Sequence, residues 1–64
     1  MKLNDLEGHY VETDFLPLSD LQTLMDRYHQ YLEVTPVTDP RRGFVEDWTE
    51  DLQTEIAHRN QEKS

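Results

Sequence analysis

Hydrophobic positions recur with helical spacing in the middle of the chain. Counted from Leu21, they fall three, four, seven and eleven residues later, which places them on one face of a helix. The positions are Leu21, Leu24, Met25, Tyr28 and Leu32, with Tyr31 beside them. Ser19 and Gln22 have the spacing of a capping box, and Pro36 disfavours helical geometry at the residue before it. The pattern predicts a helix over residues 19–34.

A second apolar stripe follows after a short linker. It consists of Phe44, Val45, Trp48, Leu52 and Ile56. Asp39 suits the N-cap position and Pro40 suits the first helical position, although Gly43 could delay the regular helix. Arg59 lies near the far end, where positive charge complements the helix dipole. These signals predict a linker over residues 35–39, a helix over 40–59 and a frayed polar tail over 60–64.

The first eighteen residues form an arm with a weaker pattern. Leu3, Leu6 and Tyr10 have helical spacing, but Gly8 interrupts them. Residues 9–13 could instead form a short extended segment, and a single strand would need another chain as its partner. The predicted fold is therefore all-α or mostly α: one small domain, 1–64, built as an antiparallel two-helix hairpin with an N-terminal arm (1–18).

The apolar residues outnumber the positions that one helix–helix seam can bury. Either the arm folds across the hairpin, or two hairpins pair into a four-helix assembly. A chain of 64 residues buries only a small core, and burial roughly balances chain entropy at this size. These considerations favour completion of the fold by a homodimer.

Composition excludes several classes of function. The chain has no cysteine and two glycines, so it lacks a thiolate nucleophile, a disulfide and a phosphate-binding glycine loop. Its longest apolar run is two residues, which argues against a membrane span and a secretory signal. Fourteen acidic and six basic residues give a net charge of -8, which disfavours direct binding to nucleic acid. We expect a cytoplasmic protein that is not an enzyme and needs no cofactor.

The negative charge is concentrated on the second predicted helix. Five carboxylates with no basic residue among them lie within ten positions: Glu46, Asp47, Glu50, Asp51 and Glu55. Like-charge pairs at i, i+4 destabilise a helix by about 0.2–0.5 kcal/mol each, so stability alone does not favour this arrangement. A solvated face is one interpretation. The other is a docking surface for a basic partner, with Trp48 and Tyr31 as apolar contact residues.

Three functional hypotheses follow. The first is an inhibitor or adaptor that docks its acidic helix on a basic protein, including nucleic-acid mimicry of the kind used by small phage inhibitors of host nucleic-acid-binding proteins. The second is a structural or assembly subunit of a larger complex. The third is a metal-binding helical bundle, because Glu55 and His58 have the Glu-x-x-His spacing of di-iron bundles.

Overall fold

The computed structural model describes residues 1–62 and contains two packed helices and a small sheet. The elements in chain order are β1 (Lys2–Asn4), β2 (Tyr10–Glu12), a 3-10 turn (Thr13–Phe15), α1 (Leu18–Val34) and α2 (Pro40–Glu62). The predicted mostly helical hairpin is confirmed. The predicted tail differs, because α2 continues through position 60 to Glu62; the last two residues lie outside the described part.

Prolines determine both ends of α1. The backbone at Pro17 is extended, and its carbonyl accepts hydrogen bonds from the N–H groups of Asp20 and Leu21 at 3.0 and 3.2 Å. The predicted capping box is wrong, because Ser19 lies inside the first turn and no side chain caps this end. The helix therefore begins one residue earlier than expected. It ends where expected, since Thr35 precedes a proline and is extended.

An aspartate caps the start of α2, as the sequence predicts. Asp39 Oδ1 accepts a hydrogen bond of 2.9 Å from the N–H of Arg41, and this bond lowers the pKa of the Asp39 carboxyl. The Asp39 carbonyl accepts the N–H of Arg42 at 3.1 Å. Helical geometry runs from Pro40 through Gly43, so the glycine does not delay the helix.

Two arginines of α2 bind opposite ends of the hairpin. Arg42 donates to the carbonyls of Leu32 and Thr35 at the end of α1, the latter at 2.7 Å. Arg59 donates to the carbonyl of Leu16, just before α1 begins. The start of α2 therefore lies beside the end of α1, and its last turns lie beside the start of α1, which makes the helices antiparallel.

The arm supplies its own strand partner, which the sequence did not reveal. β1 pairs with β2 in antiparallel register, with Leu3 opposite Val11. The expectation that an extended arm requires a second chain is therefore wrong. The extended segment predicted at residues 9–13 contains β2, whereas no signal in the sequence marks residues 2–4 as the strand beside it.

Side-chain hydrogen bonds hold the turn between the two strands. Asn4 Oδ1 accepts the N–H of Leu6 at 2.7 Å. Asp5 Oδ1 accepts the N–H groups of Glu7 at 2.8 Å and of His9 at 3.1 Å. These two bonds, chiefly the one from Glu7, lower the pKa of the Asp5 carboxyl. The turn also contains two residues with positive φ, Leu6 at 68° and Gly8 at 94°.

The core joins the arm to both helices. Its buried apolar residues are Leu3, Leu21, Leu24, Tyr28, Val45 and Leu52. Partly buried residues pack around them: Leu6, Val11, Leu16, Met25, Tyr31, Leu32, Trp48 and Ile56. Folding of the arm across the hairpin therefore hides much of the apolar excess, whereas the homodimer stays a prediction. Neither α1 nor α2, over its described length, is apolar enough to cross a bilayer.

Phe44 does not belong to this core, contrary to the predicted stripe of the second helix. Its side chain is 61% exposed, while that of Val45 is 2% exposed. Consecutive helical residues point about 100° apart, so only one of the two can face α1. Val45 takes that position, and the larger ring is left at the surface.

Candidate partner-binding surface

The five predicted carboxylates do not form one compact patch. Glu46, Asp47, Glu50 and Asp51 are exposed on α2, and Glu55 is half-buried. At about 100° per residue, the nine steps from Glu46 to Glu55 turn half-way around the helix. The negative charge therefore covers the whole solvent-facing half of α2 instead of a single stripe.

The outer two of the five are ion-paired within the chain. Glu46 Oε1 lies 3.1 Å from Nε of Arg42, and Glu55 Oε1 lies 3.2 Å from Nε of Arg59. Both arginines also donate to the backbone carbonyls that close the hairpin. Glu46 and Glu55 thus help to orient structural arginines, and their charge is already compensated.

The inner three carboxylates have no such compensation. Asp47, Glu50 and Asp51 form no ion pair with any other residue in the part of the chain that is described. Asp47 and Asp51 are one turn apart, a spacing at which like charges repel each other. Their repulsion is relieved when a cation binds between or beside them. We call these three residues the uncompensated acids.

An aromatic pair lies on the same helix. The rings of Phe44 and Trp48 are stacked, with centroids 6.3 Å apart and planes inclined by 28°. Trp48 is half-buried and also contacts the buried ring of Tyr28, whose centroid is 6.3 Å away. The predicted contact residue Trp48 is therefore anchored in the core on one side. Its other side supports the exposed ring of Phe44.

A surface cleft brings the two predicted aromatic contact residues together. Trp48 of α2 and Tyr31 of α1 both line a depression of about 360 Å³. We call this depression the aromatic cleft; its lining is Asn4, Leu6, Gly8, Tyr31, Arg41, Phe44, Val45 and Trp48. The predicted contact residues include neither Phe44 nor Leu6, which also line the cleft. The clue for Phe44 was its adjacency to another apolar residue, whereas nothing in the sequence marks Leu6.

The uncompensated acids are not equivalent with respect to the aromatic pair. Asp51 is seven residues from Phe44 and three from Trp48, so it lies on the same side of α2. Asp47 is three residues from Phe44 and one turn before Asp51. Glu50 points about 100° away from Asp51, towards the other side of the helix. Two carboxylates therefore lie beside the aromatic pair on its solvent side, and the third lies further around the helix.

The residues of the metal hypothesis lie beside a guanidinium. Glu55 and His58 line a polar depression with Asp14 and Arg59. Arg59 already donates to the Glu55 carboxylate, and its positive charge opposes a metal cation at that place. Among the side chains that the structure describes, no three from histidine, aspartate or glutamate are grouped closely enough to hold a metal ion.

Comparison with known proteins gives no relative: the chain matches no family model, no curated protein and no solved structure.

Proposed function

We propose that this chain is a small acidic protein-binding protein, an inhibitor or an adaptor, that docks α2 on a basic surface of its partner. The observation that carries the proposal is the set of uncompensated acids, Asp47, Glu50 and Asp51, which are exposed on the same helix as the Phe44–Trp48 pair. Charged side chains that have no ion-pair partner within their own chain accelerate association with an oppositely charged groove. An aromatic anchor beside them supplies the short-range contact that charge alone does not.

The surface is also held in a fixed orientation. The Arg42 and Arg59 contacts fasten both ends of α2 to the remainder of the chain. Helix α2 therefore presents its carboxylates from a rigid backbone, which reduces the entropy lost on binding.

Nucleic-acid-binding proteins are the partner class that we favour. Carboxylates at i, i+4 along a helix lie several ångströms apart, a spacing comparable with that of neighbouring phosphates on a strand. A protein that occupies a basic nucleic-acid channel in this way acts as a mimic, as small phage inhibitors of host proteins do. DNA or RNA should then compete with the chain for its partner.

The proposal is tested by removing the negative charges of the uncompensated acids while keeping the size and shape of their side chains. The variant Asp47→Asn, Glu50→Gln, Asp51→Asn is compared with the wild-type chain in cross-linking capture from host lysate, followed by mass spectrometry and affinity measurement on the captured protein. We expect at least a tenfold loss of affinity and a weaker dependence on salt. Retained affinity would mean that the acidic surface serves solvation only.

A matched control removes the same charge elsewhere. Asp20, Asp26 and Glu33 are exposed on α1, and none of them forms an ion pair with another described residue. Their triple amide variant has the same net charge as the test variant. It should retain affinity to within about threefold if position, and not total charge, matters.

A role as an assembly subunit is the second candidate. Large apolar side chains that are more than 80% exposed lie at both ends of the hairpin: Phe15, Val34 and Val37. A subunit buried through these residues would lose its partner on Phe15→Ser or Val37→Ser and would show little salt dependence. Light scattering tests the proposed homodimer, for which the expected mass is twice that of the 7.7 kDa chain.

A further inference from the structure

The aromatic cleft is large enough to accept a side chain. Its volume of about 360 Å³ lies at the lower end of the range found for ligand pockets. The exposed Phe44 ring forms one wall, and the partly buried Tyr31 and Trp48 rings form the others. A cleft of this size fits one or two apolar side chains of a partner segment better than a whole helix.

A leucine with a strained backbone also lines the aromatic cleft. Leu6 has φ of 68°, in the left-handed region that is unfavourable for residues other than glycine. The Asn4 side chain holds this conformation through its bond to the Leu6 N–H. Leu6 lines the aromatic cleft and, together with Tyr31, a second depression that reaches Val34. The strained backbone thus places an apolar side chain between two surface depressions, and residues in such sparsely populated backbone regions cluster at functional sites.

The charges around the cleft restrict its occupant. The charged side chain in the cleft lining is Arg41, which lies 3.5 Å from its own Asp39. Asp47 and Asp51 lie outside the lining, on the solvent side of α2, three residues from Phe44 and Trp48 respectively, and their charge is uncompensated. A ligand with a positive charge beside its apolar group satisfies these carboxylates. A second copy of this chain, with net charge -8, would bring further negative charge to the same place.

We infer that the aromatic cleft receives an apolar side chain from a partner protein segment, and that Asp47 and Asp51 bind a lysine or arginine next to it in that segment. The inference rests on the proposed protein-binding function and specifies the partner's chemistry: a peptide segment with an apolar residue beside basic ones. Phe44 and Leu6 are contact residues in this arrangement, and Glu50 contributes only long-range attraction.

The probe is a random dodecapeptide library displayed on phage and selected against the full chain. Enriched peptides are synthesised and titrated into isotopically labelled chain, with the indole N–H of Trp48, the single tryptophan, as the NMR reporter. We expect enriched sequences to combine an aromatic or branched aliphatic residue with adjacent lysine or arginine. Serine in place of that apolar residue should weaken binding at least tenfold.

Variants of the chain locate the site. Phe44→Ser should weaken peptide binding at least tenfold and Asp51→Lys at least fivefold, while the control Asp26→Lys, the same charge reversal on the exposed face of α1, changes it less than twofold. All three side chains are exposed, so the fold should survive, and circular dichroism checks that it does. Enrichment of peptides without basic residues, no enrichment at all, or full affinity with Phe44→Ser would each overturn the inference.

Two further results separate this inference from the proposed function. If the triple amide variant loses the cellular partner while Phe44→Ser keeps it, acidic docking stands and the cleft assignment fails. If Phe44→Ser converts a dimer into a monomer in light scattering, the occupant is a second copy and the inference is overturned.

Discussion

The phenolic oxygen of Tyr28 lies 2.5 Å from the backbone carbonyl oxygen of Asn4 and donates a hydrogen bond to it. Tyr28 belongs to α1 and is fully buried, whereas Asn4 is the last residue of β1. The bond therefore joins the arm to the helical hairpin. The Asn4 side chain holds the adjacent turn, so the same residue connects the core to the wall of the aromatic cleft.

Removal of this hydroxyl should loosen the arm. Tyr28→Phe keeps the ring in the core but leaves the Asn4 carbonyl without its donor, so we expect a loss of about 1 kcal/mol in the free energy of unfolding. Urea denaturation followed by circular dichroism measures it. Tyr31→Phe is the control, because the Tyr31 hydroxyl forms no hydrogen bond with residues 1–61. We expect this variant to change the free energy of unfolding by less than about 0.5 kcal/mol. Equal effects of the two variants would contradict the role of the bond.

Because Tyr28 is buried, we expect the fold to lose stability at alkaline pH. Burial raises the pKa of Tyr28 to about 12, and the nearby Asp5 carboxylate adds to the rise. The unfolded chain releases this proton near pH 10, so the stabilising contribution is complete below pH 10 and is lost as pH rises towards 12. The stability difference between wild type and Tyr28→Phe should therefore shrink over this window. A difference that stays constant from pH 9 to 12 would exclude the shifted pKa.

The contribution of Arg59 to the stability of the fold should depend on the planar shape of its guanidinium group. Arg59 donates to the carbonyls of Thr13 and Leu16 and to the Glu55 carboxylate, which a lysine cannot reproduce with one ammonium group. We expect Arg59→Lys to destabilise the fold by about 1–2 kcal/mol in thermal and urea unfolding. The control is Arg27→Lys, because the ion pair of Arg27 with Glu7, at 3.4 Å, is exposed and should contribute under about 0.5 kcal/mol. A ranking in the opposite order would show that the arginine contacts do not hold the 3-10 turn.

Substitution of the two glycines by alanine should change the stability of the fold in opposite directions. Gly8 has φ of 94°, so Gly8→Ala strains the turn and should cost about 1 kcal/mol, although no atom lies within 4 Å of the added Cβ. Gly43 is helical and equally uncrowded, so Gly43→Ala should stabilise α2 by about 0.5–1 kcal/mol. Differential scanning calorimetry of both variants tests the pair. Stabilisation by Gly8→Ala would mean that the turn does not require positive φ.

The helices could be predicted because their signals are local. Pro17 and Pro36 bracket α1, Asp39 caps α2, and the buried positions Leu21, Leu24 and Tyr28 repeat with helical spacing. The arm could not be predicted in the same way. Its strands are three residues long, and their pairing joins Leu3 to Val11 across a turn held by side chains.

The candidate site was likewise predictable only in part. The acidic run from Glu46 to Glu55 and the aromatic residues Tyr31 and Trp48 can be read directly from the sequence. Which carboxylates stay uncompensated depends on where the arginines reach, and Arg42 and Arg59 are oriented by backbone carbonyls of other elements.

By itself, the sequence determined two amphipathic helices, the turn between them and the excess of negative charge, because each depends on residues a few positions apart. Tertiary structure decided that Val45 enters the core and Phe44 does not, because only one of two neighbours on a helix can face α1. It also decided that the arm returns over the hairpin, since Leu3 is buried only when both helices are in place. The aromatic cleft exists for that reason: its walls come from the arm, α1 and α2, which meet only in the folded chain.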